Sequence, residues 1–308
     1  MLASHFHPTD VQGNVDANMQ PVIGVITQKF FSKSLTDDPR FEKYNSFVMS
    51  DYVQFFEGSG ARVIPILNTE SEEETLRKLG LINAVLMPGG GGDDIYKEKA
   101  RFIYNEAIKM NDSGTYFPLF GICLGIEDFA MFAATAGDDI LSDLKSHHVS
   151  LPVTFVGDPS KTAMFGEASD LTHLYETEGF AFMSHNHGIE PEKFTTDKGL
   201  SEMFTLTSTS HDTEYDSTFA SSMEGVNYPF QAVQFHPAKQ VYEWKDEEGY
   251  NHDWTSIELN RYFADTWVKM ARQNTQKTGD YEETQKMIFE NEDFYVTDTY
   301  YGNVYMFV

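Results

Sequence analysis

The chain contains one cysteine, Cys123, and the stretch around it is Phe117-Pro-Leu-Phe-Gly-Ile-Cys-Leu-Gly-Ile-Glu127. A glycine two residues before and two residues after a nucleophilic side chain is the pattern of a nucleophile elbow, here G-x-C-x-G. The glycines let a strand turn sharply into a helix without side-chain collisions, lifting the sulfur above the end of a sheet. A thiol at a helix N-terminus is expected to have a lowered pKa and to favour the thiolate. The bland alternative is a buried structural thiol, the commonest fate of a lone cysteine. One cysteine excludes an internal disulfide framework and any multi-thiolate zinc site.

A thiolate needs a base that can also protonate a leaving amine. The segment Tyr228-Pro-Phe-Gln-Ala-Val-Gln-Phe-His-Pro237 reads as an apolar strand delivering His236 to its end, where Pro237 stops it. Met87-Pro-Gly-Gly-Gly-Gly-Asp93 follows another apolar run. It matches neither G-x-x-x-x-G-K-[ST] nor G-x-G-x-x-G, so nucleotide binding is poorly supported. An oxyanion hole suits it better, with one donor from the Gly90 region and one from the Leu124 amide. No metal site is expected, because His147-His148 and His185-x-His187 lack carboxylate or thiolate partners at ligand spacing. No cofactor is implied.

These residues need a scaffold. Val22–Thr27, Arg62–Ile66, Ala84–Met87 and Phe117–Phe120 read as short buried strands. Helical spacing marks Ser46–Gly58, Glu72–Leu79, Tyr96–Met110 and Leu124–Ala134. The alternation predicts an α/β three-layer sandwich, a mostly parallel central sheet flanked by helices on both faces. Ligands of such sheets sit at the carboxyl ends of the strands, where the elbow lies. Farther on, Leu151–Val156, Met203–Thr209 and Phe230–Phe235 read as strands, Trp254–Arg272 as a long helix and Phe294–Val308 as a packed, strand-like tail. Residues 1–20 read as a flexible N-terminal arm and 21–308 as one domain.

The 308 residues carry 22 Lys and Arg against 48 Asp and Glu, a formal net charge of −26. That balance opposes nucleic-acid binding and docking on an anionic membrane. No apolar run reaches the ~20 residues of a spanning helix. The first twenty residues lack the basic start and apolar stretch of a signal peptide.

Together the elbow, the preceding P-G-G loop and the late His-Pro strand resemble the class I glutamine-amidotransferase-like fold. The finer pattern is similar to the γ-glutamyl hydrolases, also called folylpolyglutamate hydrolases. It lies in Pro21–Gln28, Gly60–Pro65, Phe117–Glu127, Ser222–Gly225, Tyr228–Pro237 and Tyr242-Glu-Trp244, with an echo at Tyr301-Gly-Asn303. The resemblance implies a cysteine peptidase acting on a small γ-glutamyl substrate such as a folylpoly-γ-glutamate. Cys123 would be the nucleophile, His236 the base and His187 an additional active-site histidine, with His185 as its rival. It also implies a lysosomal, vacuolar or secreted home, while a cytoplasmic one and a homodimeric state stay open.

One departure matters. The family follows its histidine with Pro-Glu, whereas this chain has His236-Pro237-Ala238. Losing the acid of a serine triad costs ~10⁴ in kcat, and a cysteine enzyme should lose less. Glu127, Asp128, Glu243 or a backbone carbonyl are the candidates to replace it. An active γ-glutamyl hydrolase, a catalytically inactive relative with a binding role and a small-amide glutamine amidohydrolase are the competing readings. Lys239 is either a solvated surface lysine or a receiver of a substrate carboxylate, and Asn111-Asp112-Ser113 is a glycosylation sequon.

Overall fold

In the computed structural model, which describes residues 18–30, 37–168, 170–245, 249–279, 281–297 and 302–308, the β-branched run Val22–Ile26 forms strand β1. It is followed by β2 (Ser46–Met49), β3 (Arg62–Ile66), β4 (Ala84–Met87), β5 (Leu119–Ile122), β6 (Ser142–Leu151) and β7 (Thr154–Phe155). Strands β8 (Ala181–Gly188), β9 (Phe204–Asp212), β10 (Ser217–Gly225), β11 (Phe230–Val233), β12 (Asp293–Tyr295) and β13 (Val304–Phe307) complete the series. The helices packed on them include α1 (Ser50–Glu57), α2 (Glu72–Leu79), α3 (Asp94–Asp112), α4 (Leu124–Ala133), α5 (Pro237–Tyr242) and α6 (Trp254–Ala271).

The central sheet has the order β3-β1-β4-β5-β11-β10-β9-β7. Neighbours from β3 to β11 are parallel, and β10, β9 and β7 extend the sheet antiparallel. Pro65 is tolerated inside β3 because that strand forms the sheet's edge. Side chains alternate between two apolar layers, as the strand period of two requires. Ile23, Val25, Leu86, Phe120 and Val233 face α1 and α6. Val22, Ile26, Val85, Leu119 and Ala232 face α2, α3 and α4. The expected three-layer α/β architecture is therefore the observed one.

The helix over Ser46–Gly58 was expected to be continuous, but its first turn is strand β2. Ser46–Met49 is buried throughout and pairs antiparallel with β13, a partner from the other end of the chain. Long-range pairing overrides the local helical period here. The tail strands β12 and β13 complete this small sheet, so the aromatic tail packs. Strand β5 lies two residues beyond the expected Phe117–Phe120, set by its ladders to Met87 and Val233. Residues 1–17 of the expected arm lie outside the described residues. Asn18 donates its backbone N–H to the Arg272 carbonyl at 2.8 Å and its side-chain amide to Gln276 O.

The sequon asparagine has a structural role. Asn111 Nδ2 donates to Ala107 O and Phe117 O, both at 2.8 Å, and Oδ1 accepts from Phe117 N. Glycosylation there requires breaking the clamp that leads α3 into β5.

Trp267 on α6 stacks on Phe120 at 4.8 Å and 8°, and its indole donates to Gln231 Oε1 at 2.9 Å. Trp267→Ala removes both contacts from beneath the strand that carries the elbow. Chemical denaturation should show a loss of about 3–5 kcal/mol in unfolding free energy.

Candidate active site

Three adjacent parallel strands end at one place: β4 runs into the glycine loop, β5 into Cys123, and β11 through Gln234 and Phe235 into His236. Cys123 caps α4 with φ 52° and ψ −103°, a conformation that L-residues rarely adopt. Its N–H is held by Val233 O at 2.8 Å. A Cβ on Gly125 would collide with Met87 O, and one on Gly121 would lie 2.7 Å from the Gly125 carbonyl carbon. The two glycines therefore exist for close backbone approach, as the elbow pattern requires.

A Cβ built on Gly89 would lie 2.7 Å from His236 Cε1, 2.7 Å from the Tyr52 hydroxyl and 3.0 Å from Cys123 Cβ. Cys123 and His236 thus meet across a single glycine. Gly90 has φ +142° and packs against the Gln28 side chain, whose Nε2 donates to Pro88 O at 3.2 Å. The Leu124 amide is directed at the cysteine sulfur and favours its ionised form. Cys123 Sγ also lies 3.8 Å from Ser184 O on β8.

The two-stranded sheet of β6 and β8 meets the elbow at Ser184, and β8 carries both rival histidines. His185 is buried, donates Nδ1–H to His187 O at 2.8 Å and sits edge-on to Phe219. Its Nε2 has no hydrogen-bond partner, and burial lowers its pKa to about 4. His187 projects to the surface, 3.6 Å from the exposed Asp143. His185, not His187, is buried within electrostatic reach of His236. The two are i and i+2 and share a face by strand alternation, so the sequence could not divide them; the register shift opposite them on β6 accompanies the difference in burial.

The thiol departs from expectation. Burial pushes the Cys123 pKa up, with the Glu127 charge adding, against the opposing pull of the Leu124 amide. Desolvation outweighs the helix N-terminus. His236 is pushed well below the ordinary imidazole value by burial, then by the Lys239 and His185 charges. Both shifts favour a neutral thiol beside a neutral imidazole.

The candidate acids have other partners. Glu127 accepts from Gln234 Nε2 at 3.2 Å, Asp128 is buried within the elbow helix, and Glu243 lies against Gly302. Lys239 is not a solvated surface lysine. It is fully buried, 3.6 Å from the equally buried Asp51. What faces His236 Nδ1 is the Tyr52 hydroxyl at 3.4 Å. In the sequence Tyr52 looked like one more apolar residue on a helix face, so nothing there signalled its place. Among the described residues, no three His, Cys, Asp or Glu side chains group to hold a metal.

Burial raises Glu127 to about 8 and Asp128 to about 7. A carboxyl raised in the fold stabilises it below its unfolded pKa and loses that contribution as pH climbs through the folded value. For Asp128, the shift from 3.8 to about 7 corresponds to on the order of 4 kcal/mol. Stability should fall between pH 4 and pH 8, and Asp128→Asn should flatten part of that slope in thermal unfolding.

The glutamine amidotransferase class-I family matches residues 45–248. The chain is 32% identical to a γ-glutamyl hydrolase of Bos taurus over 94% of this chain and 88% of that protein. It is 31% identical to the Rattus norvegicus γ-glutamyl hydrolase over 94% and 88%, and 30% identical to the Homo sapiens one over 95% and 89%.

Proposed function

The chain belongs to the γ-glutamyl hydrolases of the class I glutamine amidotransferase family, and from that premise we propose that it uses Cys123 to cleave γ-glutamyl bonds, those of folylpoly-γ-glutamates or related γ-glutamyl peptides. The observation that carries this reading is the meeting of Cys123 and His236 around Gly89 at the ends of three parallel strands.

The neutral pair sets the first step. As sulfur attacks the γ-carbonyl carbon, His236 Nε2 takes the thiol proton, so charge separates only when substrate is present. The oxyanion is received by the Leu124 amide and the Gly90 region, because the Gly89 N–H already donates to Tyr52 at 3.0 Å. Collapse breaks the C–N bond, and the imidazolium returns its proton to the leaving amine. Water, deprotonated by His236, then hydrolyses the thioester, releasing the γ-carboxylate and the thiol. The auxiliary histidine is His185, whose open Nε2 can receive a substrate hydrogen bond.

Residues 21–308 act as one unit in this reading, on a small-molecule substrate. An acidic lysosomal, vacuolar or extracellular setting suits both partners. Below about pH 5 the carboxylates of a polyglutamate substrate and of this −26 chain lose charge, and their repulsion falls. The raised Glu127 and Asp128 are neutral under the same conditions.

One observation favours a second reading, a catalytically inactive relative that binds γ-glutamyl ligands. Ala238 is fully buried where the family carries its acid. Glutamate release from a poly-γ-glutamyl folate at pH 4.5 and pH 7 separates the two. Turnover greater at pH 4.5 and lost in Cys123→Ala is the expected outcome. Absence of turnover in the parent protein, with ligand binding retained, supports the inactive relative.

A further inference from the structure

With no acid two residues after His236, something else must fix the imidazole so that Nε2 is free to take a proton. A neutral histidine carries its proton on one nitrogen, and the hydrogen bond at the other decides which. Tyr52 is fully buried on α1, and its oxygen lies 3.4 Å from His236 Nδ1. The same oxygen accepts the Gly89 N–H at 3.0 Å. The Gly89 N–H therefore holds the phenol oxygen at the junction of glycine loop and base, and the direction of its contact with Nδ1 follows the imidazole tautomer.

The Ser184 backbone carbonyl also faces the His236 ring and favours its protonated form, while the charged neighbours offer no substitute for the acid. Lys239 on α5 and His185 on β8 both disfavour the imidazolium. The buried Asp51 carboxylate, one residue before Tyr52, lies 3.6 Å from Lys239 and offsets that ammonium. Glu127 is engaged by Gln234, and its charge acts on Cys123.

We propose that Tyr52 is the positioning residue of this active site: its hydroxyl oxygen accepts Nδ1–H of His236 and holds the ring with Nε2 toward Cys123, the orienting role of the acid absent at Ala238. This rests on the hydrolase reading for its purpose but not for its test. A phenol oxygen supplies direction without a negative charge. It therefore fixes the tautomer but does not stabilise the imidazolium as a carboxylate does.

The test compares the full-length protein with Tyr52→Phe. Imidazole ¹⁵N shifts of His236 report the tautomer directly. The parent protein should show Nδ1 protonated and Nε2 bare, and the variant a mixture. Iodoacetamide alkylation of Cys123, which needs no γ-glutamyl substrate, should slow about 10–100-fold in the variant, since less of the ring is oriented to take the thiol proton. If the protein turns over poly-γ-glutamate, kcat should fall by the same factor with KM little changed.

Tyr52 could instead serve only to tether the glycine loop. In that case kcat falls while the His236 shifts and the alkylation rate stay at parental values, and the proposal is overturned. A parent His236 protonated on Nε2 overturns it without any variant, so a Tyr52→Phe chain that fails to fold leaves the test intact. Absence of γ-glutamyl turnover with the expected tautomer and alkylation results rejects the substrate and keeps Tyr52 in place.

Discussion

The site depends on how closely the end of β4 approaches the elbow. The Met87 carbonyl presses on Gly125, and Gly89 fills the space between Cys123, His236 and Tyr52. A side chain at either glycine would separate the strand ends by more than a hydrogen bond can span. The parallel ladder from β4 through β5 to β11 fixes the same residues from below, through the Met87–Gly121 and Val233–Ile122 pairings. The strained Cys123 conformation persists because the backbone on both sides of it is held.

Burial then sets the chemistry. A dry site keeps the thiol and imidazole neutral at rest, so orientation matters more here than preformed charge. The buried Lys239–Asp51 pair fits that arrangement, since Asp51 offsets a cation that would otherwise oppose protonation of His236. The Tyr242-Glu-Trp244 segment works at one remove. Tyr242 packs on Gly58 after α1 and Glu243 on Gly302 of the tail, while the largely exposed Trp244 stacks on His252 at 4.3 Å. The segment thereby fastens the helix that follows His236 to the helix that carries Tyr52.

The parts of this arrangement legible in the sequence were local ones. The glycines flanking Cys123 and the proline after His236 each impose a backbone geometry that has few alternatives. The alternating apolar strands of the parallel half were readable for the same reason. Strand β2 was not, because its identity depends on a partner some 250 residues later. The β6–β8 pair was missed too, since polar His, Ser and Asn dominate it and its pairing carries bulges. Even read as a strand, β8 would have left His185 and His187 undivided, because residues two apart share a face. Tyr52 and Lys239 were misread for a common reason: a buried hydroxyl or ammonium is recognisable only once its partner is in place.

The central claim is that Cys123, set beside His236 at the elbow, is the nucleophile for a γ-glutamyl carbonyl. A diazoketone analogue of glutamine, incubated with the full-length protein and followed by peptide mass mapping, addresses it most directly. The account predicts one covalent adduct on the peptide containing Cys123, with hydrolytic activity lost in proportion to labelling. Labelling at another residue, or full activity retained with Cys123 modified, would contradict it.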